Sequence, residues 1–435
     1  MSRKAWQQYY KDRCMTVDEA MGLIRSGDLI IDGHGNGRSN IFGPALMKRA
    51  GELQDVRLTT GYNMGDSPHC EARYEGSFKH VSIFDIAPTR QAHWEGRADF
   101  AAANFSQLER VFKSWNPRVL FTHVTPPNED GLVSMGVSVD FTRTMMDCCE
   151  LVIAQVNCNM PWIDGEAVVP VEKISAFVEC DNDIPEIPEA TQISENDRKI
   201  AGYIAGLIND GDTLQAGIGA IPDTVLSMLT DHRHLGIHSE LGTTGIMKLM
   251  EQGVVDNSLK TINPGKCVCT LLGGTKEFYR YVDHNPNFEM RRSSYVLSPA
   301  VICQHRNMVA MNSAIQIDLF GQICSEMIAG KQFSGVGGQL DFLRGAMMSE
   351  GGRSIICLPA TASRGTVSRI VAQLDPNAVV TDTRYDVMYV VTEYGVADLW
   401  GKTNDQRAKQ LINIAHPDFR EQLEKDFWTM IHKVV

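Results

Sequence analysis

The stretch Gly22-Leu-Ile-Arg-Ser-Gly-Asp-Leu-Ile-Ile-Asp-Gly-His-Gly35 aligns without gaps on Gly206-Leu-Ile-Asn-Asp-Gly-Asp-Thr-Leu-Gln-Ala-Gly-Ile-Gly219, and seven of the fourteen positions are identical. Each copy reads as the end of a helix, a glycine stop, a short apolar strand and a Gly-x-Gly loop. A unit of this kind recurring in one chain points to two copies of one α/β domain. Between them lies Glu179-Cys-Asp-Asn-Asp-Ile-Pro-Glu-Ile-Pro-Glu-Ala190. It is acidic and carries Pro185 and Pro188, as a linker does. The boundary expected from it gives an N-terminal domain over 1–187 and a C-terminal domain over 188–435.

Working outward, short apolar runs alternate with helical periodicity. Leu151–Val156, Thr213–Gln215, Leu235–Ser239, Ser354–Leu358 and Tyr389–Thr392 read as strands, and 17–25, 197–209, 222–230, 246–252, 339–348 and 405–415 as helices. Such alternation predicts an α/β fold with two tandem related domains, each a mostly parallel open sheet flanked by helices. The second half of Met308–Gly321 alternates with period two and ends in a turn, so an antiparallel piece is expected there.

Composition narrows the function. The 435 residues include 41 Lys+Arg against 53 Asp+Glu, a net charge of -12. A chain this acidic repels a phosphate backbone, which argues against general nucleic-acid binding. The N-terminal segment is charged and amphipathic, unlike a signal peptide, and no run of 18 apolar residues occurs, so no membrane span is predicted. The 11 scattered cysteines fit reduced thiols and a cytoplasmic protein.

Ligands of parallel α/β sheets gather at the carboxyl ends of strands. Four such loops carry unusual chemistry. Gln215-Ala-Gly-Ile-Gly-Ala-Ile-Pro222 could hold a phosphate or cofactor on its backbone, or be a tight structural turn. It is not a dinucleotide fingerprint, because Pro222 replaces the third glycine. Glu240 ends an apolar strand just before a helix capped by Thr243 or Thr244. A poorly solvated carboxylate there is a candidate nucleophile, with helix capping as the alternative. Ser334-Gly-Val-Gly-Gly338 precedes a helix whose first N–H groups could stabilise an oxyanion. Glu393 follows the strand 389–392 and could be catalytic or merely capping. His232, His234 and His238 have no acidic fourth ligand at metal spacing, so no metal site is expected.

Taken together these loops resemble the acetyl-CoA hydrolase/transferase family, with the 4-hydroxybutyrate CoA-transferases as the nearest branch. The resemblance rests on Gly217–Asp223, Leu235–Glu240, Ser334–Gln339 with Asp341–Gly345, and Val390–Leu399. Met311–Gln322, Ile414–Arg420 and Pro126–Ser138 support it. It implies two domains of the class I CoA-transferase type, no permanently bound cofactor, and coenzyme A as a substrate. It also implies Glu240 as nucleophile, Gly338 as oxyanion donor and Glu393 as a second active-site carboxylate. CoA-binding positions fall on Gln215, Ala216, Gly217, Ile218 and Gly219, and on Ser334, Gly335, Val336 and Gly337. The partners implied are an acyl-CoA and a small carboxylate, handled by a homodimer.

The sequence departs from the family pattern at four places. The nucleophile loop reads Ser239-Glu-Leu-Gly-Thr-Thr-Gly245. Leu297 stands where a polar Asn is usual, and Glu350 where a Lys is usual. The first-domain loop Gly33–Ser39 also differs. The expected reaction runs through an acyl-glutamyl anhydride and a glutamyl-CoA thioester, with Asn36 and Gly61-Tyr62 closing a short acyl pocket. The alternatives are an acyl-CoA hydrolase, and a non-catalytic acyl-CoA sensor on the same scaffold.

Overall fold

Val119-Leu-Phe-Thr-His-Val124 is buried at all six positions in the computed structural model, as a strand covered by helices on both faces must be. The structure describes residues 3–62, 64–190 and 192–432. They divide into two units.

The first unit comprises Met1–Pro188, Leu241–Thr244 and Cys267–Val296. Its main sheet has seven strands: β1 (Leu29–Ile31), β2 (Val56–Thr59), β3 (Phe78–Ser82), β4 (Ala98–Phe100), β5 (Val119–Val124), β6 (Leu151–Val156) and β7 (Ala176–Glu179). Their order is β4-β3-β2-β1-β5-β6-β7. Every pairing is parallel. One face is packed by Met21, Ile24, Phe42, Leu46, Phe78 and Phe121.

The second unit comprises Glu189–Glu240, Gly245–Lys266 and Leu297–Val435. Its strands are β8 (Thr213–Ala216), β9 (Gly236–Gly242, of which residues 236–240 belong to this unit), β10 (Met308–Ser313), β11 (Arg353–Cys357), β12 (Tyr389–Thr392) and β13 (Gly395–Asp398). They run in the order β9-β8-β10-β11-β12-β13. All neighbours are parallel except the final β12–β13 hairpin. The helices that matter below are α1 (Glu195–Ala205), α2 (Ala220–Met228), α3 (Thr244–Glu251) and α4 (Gln339–Met348).

The repeated stretch lands on equivalent strands. β1 has β2 on one side and β5 on the other, and β8 has β9 on one side and β10 on the other. Both are the strands at which the chain order reverses, where a crevice opens at the carboxyl edge. The fold is therefore the α/β architecture expected, with an antiparallel pair Gln316–Asp318 with Ile323–Cys324 beside the second sheet. Two features differ from a linear reading. Cys267–Val296 folds with the first unit although it lies beyond residue 188. The strand bearing Glu240 also runs on to Gly242 before α3 starts, which puts Glu240 inside the strand rather than at its end. Among the described residues no helix is long and apolar enough to cross a membrane.

Phe121 is 1% exposed, and its ring lies 5.0 Å from that of Phe42. Its truncation leaves a cavity that a parallel sheet cannot collapse. Phe121→Ala should cost about 3–5 kcal/mol, read as a lowered urea midpoint.

Candidate active site

β9 places Glu240 two residues after His238 on one face, with Ser239 on the other. His238 and Ser239 are fully buried, whereas Glu240 is partly exposed. Ser239 Oγ donates to the carbonyl of Ala216, 3.2 Å away, which ties the strand bearing Glu240 to the end of β8. His238 packs at a tilt against His305, ring centroids 4.6 Å apart, and edge-on against Phe342 of α4 at 6.3 Å. Burial, with the neighbouring His238 and Lys260 acting in the same direction, drives the His305 pKa down to about 2, so the His305 ring is neutral at physiological pH.

The first residues of α4 meet that carboxylate. Gly338 is the N-cap of α4, and a β-carbon built on it would overlap both Glu240 Oε2 and Leu297 Cδ2. Only glycine lets the backbone approach this closely. The consequence is a carboxylate set against a helix N-terminus, which favours negative charge. Leu297, itself fully buried, forms an apolar wall on the same spot.

The glycine loop is held from behind. Ser334 donates its N–H to the Glu326 carbonyl and its hydroxyl to the Ser325 carbonyl, both at 3.1 Å. Gly337 takes a left-handed φ of 55°, turning the chain into the helix. Gln339 then donates its amide to Ser325 Oγ at 2.7 Å and to Asp382 Oδ2. Asp382 is fully buried and its Oδ1 has no hydrogen-bond partner. Burial, aided by the nearby Asp386 and Glu326 carboxylates, raises its pKa to about 7, against the opposing effects of Gln339 and Arg344.

The other predicted loop is open. Gly217 and Gly219 have no atom within 4 Å of a built β-carbon, and Ile218 is exposed. Gly219 has φ 117° and caps α2, so the backbone here is exposed and unobstructed. The Gln215 side chain is not free to join it. Its Oε1 accepts from Met311 N and Asn312 Nδ2, and its Nε2 donates to Asn312 Oδ1. The equivalent first-copy loop is instead sealed. His34 Nδ1 lies 2.8 Å from Asp140, and Asn36 is buried with its amide donating to the Pro185 carbonyl at 2.8 Å.

Glu393 occupies the two-residue turn between β12 and β13. Its Oε2 accepts from Ala360 N at 2.8 Å and its Oε1 from Asn196 Nδ2 of α1 at 3.2 Å. β12 lies four strands along from β9, about 19 Å at ordinary strand spacing. The site thus spans a row of strand ends rather than one cluster. Leu297, Asn312, Ala360, Asn196 and Asp382 join it without any local motif to announce them; only contacts across the sheet bring them in.

The three candidate histidines go separate ways. His232 bonds the Ile208 carbonyl, His234 pairs with Asp256, and His238 packs on His305. Among the described residues the one group of metal-ligating type is His69, Cys70 and His80, in the first unit. Its imidazoles bond each other at 3.0 Å, and burial lifts the Cys70 thiol to about 12. Glu350 is exposed and ion-paired with Arg306.

Comparison with known proteins identifies the family. The family models for the acetyl-CoA hydrolase/transferase N-terminal and C-terminal domains match residues 1–220 and 274–427. The chain belongs to the acetyl-CoA hydrolase/transferase family. It is 42% identical, over 97% of its length and 99% of the relative's, to the 4-hydroxybutyrate coenzyme A transferase of Clostridium kluyveri. A solved 4-hydroxybutyrate CoA-transferase from Porphyromonas gingivalis matches with TM-score 0.83 and 36% identity, covering 98% of this chain and all of that one. RipA from Yersinia pestis matches with TM-score 0.94 and 34% identity over 99% of this chain and all of that one. As a member of the acetyl-CoA hydrolase/transferase family, the chain is an enzyme of the CoA-transferase type with the fold described above.

Two outcomes follow from this geometry. Gly338→Ala should lower kcat/KM at least about a hundredfold, roughly 2.7 kcal/mol, while circular dichroism stays native, because the methyl group lands on the Glu240 carboxylate. For Asp382, the folded state binds a proton more tightly than the unfolded one, so its contribution to stability declines as pH rises from about 4 to about 7. Asp382→Asn should flatten that part of the pH dependence, measured as urea midpoints at pH 5 and pH 8.

Proposed function

We propose that this enzyme moves coenzyme A from a short-chain acyl-CoA to a carboxylate acceptor of the 4-hydroxybutyrate, butyrate or acetate type, with Glu240 as the nucleophile. The observation that carries the reading is the Glu240 carboxylate set against the start of α4 at Gly338. A carboxylate nucleophile and a backbone oxyanion donor at one spot are what thioester exchange requires.

In the proposed sequence a Glu240 oxygen attacks the thioester carbonyl carbon, and the oxyanion is stabilised by the Gly338 N–H. Collapse breaks the carbon–sulfur bond and gives a mixed anhydride and CoA thiolate. The thiolate attacks the glutamyl carbonyl carbon, releasing the original acid as its carboxylate and leaving a glutamyl-CoA thioester. The acceptor carboxylate attacks this thioester and expels the thiolate, which then takes the acceptor's acyl group and restores Glu240. No net proton transfer is needed in any step. CoA is held by the backbone of Gln215 to Gly219 and by Ser334 to Gly337. This remote binding offsets strain at the reacting carbon.

Glu393 acts as a positioning residue, fixing Ala360 and the chain beyond it through its bond to the Ala360 N–H. Leu297 favours transfer over hydrolysis, since a buried apolar side chain beside the carboxylate keeps water from the anhydride. The resemblance to the family further supports a homodimer working in the cytoplasm.

Glu240→Ala should lower transfer from butyryl-CoA to acetate at least about a thousandfold, roughly 4 kcal/mol. CoA release by the unaltered enzyme without acceptor should stay far below the transfer rate. Equal release with and without acetate would point to a hydrolase, and an active Glu240→Ala protein would reject the nucleophile.

A further inference from the structure

Two histidines and a cysteine meet in the interior of the first unit. His69 and Cys70 lie on the single turn Pro68–Cys70, and His80 lies on β3, on its buried side with Phe78 and Ser82. One ligating atom from each falls within 4.8 Å of the other two, and all three residues are buried. The imidazoles approach to 3.0 Å between His69 Nε2 and His80 Nδ1. One proton at most lies between two such nitrogens, so at least one of them presents a lone pair there. His69 Nδ1 is also buried and has no hydrogen-bond partner, which is a cost in either tautomer. Burial lowers the pKa of both rings, that of His80 to about 4, so neither is a cation at neutral pH.

The segment that carries His69 and Cys70 has little else to hold it. Within 64–77 the buried residues are Ser67, His69, Cys70 and Ser77, and no aliphatic or aromatic side chain is among them. Cys70 itself packs only with the small side chains of Ala92 and Ala98 in its apolar cluster. Burial of apolar surface therefore does not fix this stretch against β3. Where a short irregular segment lacks such a core, bound metal is the common substitute.

The donor set selects the metal. Calcium and magnesium take oxygen ligands, whereas two imidazoles and a thiolate suit zinc. Tetrahedral zinc holds its ligand atoms roughly 3.3 Å apart for two nitrogens and roughly 3.6 Å for nitrogen and sulfur. The existing spacings reach those values by side-chain movements of about 1 Å or less. A coordinated thiol gives up its proton to solvent outright, which leaves the zinc–thiolate unit with one positive charge. The fully buried Asp85 supplies the countercharge: it acts electrostatically on both Cys70 and His80, and is itself held by Thr89 Oγ1 at 3.1 Å and by His93 Nδ1 at 2.5 Å. The guanidiniums that also act on the thiol, Arg38 and Arg97, are paired with Asp32 and Glu95. We propose that His69, Cys70 and His80 bind a zinc ion that ties the turn Pro68–Cys70 to β3. Three protein ligands leave zinc's fourth position to water. The site is structural, takes no part in the steps proposed at Glu240, and stands or falls apart from them.

Metal analysis of the full-length protein, purified from cells supplied with zinc, tests the proposal without turnover. Elemental mass spectrometry should find about one zinc per chain, and the content should fall at least about tenfold in Cys70→Ser and in His80→Gln. Cobalt(II) added to chelator-treated protein should give a near-ultraviolet sulfur-to-cobalt charge-transfer band. That band should be lost in Cys70→Ser and kept when the exposed Cys148 and Cys158 are replaced by serine. Zinc should also raise the urea midpoint of the unaltered protein and not that of the two ligand variants. Protein that holds neither zinc nor cobalt overturns the site. So does zinc that survives both ligand substitutions, or a cobalt band that disappears with Cys148 and Cys158, since the metal then lies elsewhere. Should Cys70→Ser or His80→Gln misfold, the cobalt band of the unaltered protein and its persistence in the Cys148→Ser, Cys158→Ser variant decide the question.

Discussion

A carboxylate and a helix N-terminus share one small volume here, and they do so only because residue 338 has no side chain. Much of the second unit secures that approach. β9 is tied to β8 through Ser239, α4 is packed on His238 through Phe342, and the loop before α4 is tied to Ser325 and Asp382 through Ser334 and Gln339. The buried Asp382 is a costly way to hold a glutamine amide, since one of its oxygens goes unpartnered. Such a cost persists where position matters more than stability.

The two copies of the repeat show what the fold does with one motif. Both Gly-x-Gly loops follow the strand where the sheet order reverses. In the first copy the loop is filled by its own side chains, with His34 held by Asp140 and Arg38 by Asp32. In the second the corresponding loop is left bare at Gly217 and Gly219. One copy has become a closed polar core and the other an open edge.

The five strands named from short apolar runs are all present, and Leu151–Val156 and Tyr389–Thr392 fall where they were expected. Gly338 and Glu240 were visible as glycine density before a helix and as a carboxylate amid apolar residues. The extension of β9 to Gly242 was hidden, since Glu240-Leu-Gly-Thr resembles a helix cap. The placement of Cys267–Val296 with the first unit was equally hidden, because no composition shift marks it. The commitment of Gln215 to Asn312 and of Glu393 to Ala360 depends on which strands are neighbours. That order is a property of the sheet and not of any local pattern.

The central claim is that Glu240 becomes bonded to the sulfur of coenzyme A during turnover. Incubating the enzyme with an acyl-CoA, reducing with borohydride and sequencing the peptides by mass spectrometry tests it directly. The account predicts that Glu240 alone is converted to the alcohol, and only when acyl-CoA is present. An unmodified Glu240 in enzyme that is still turning over would contradict it.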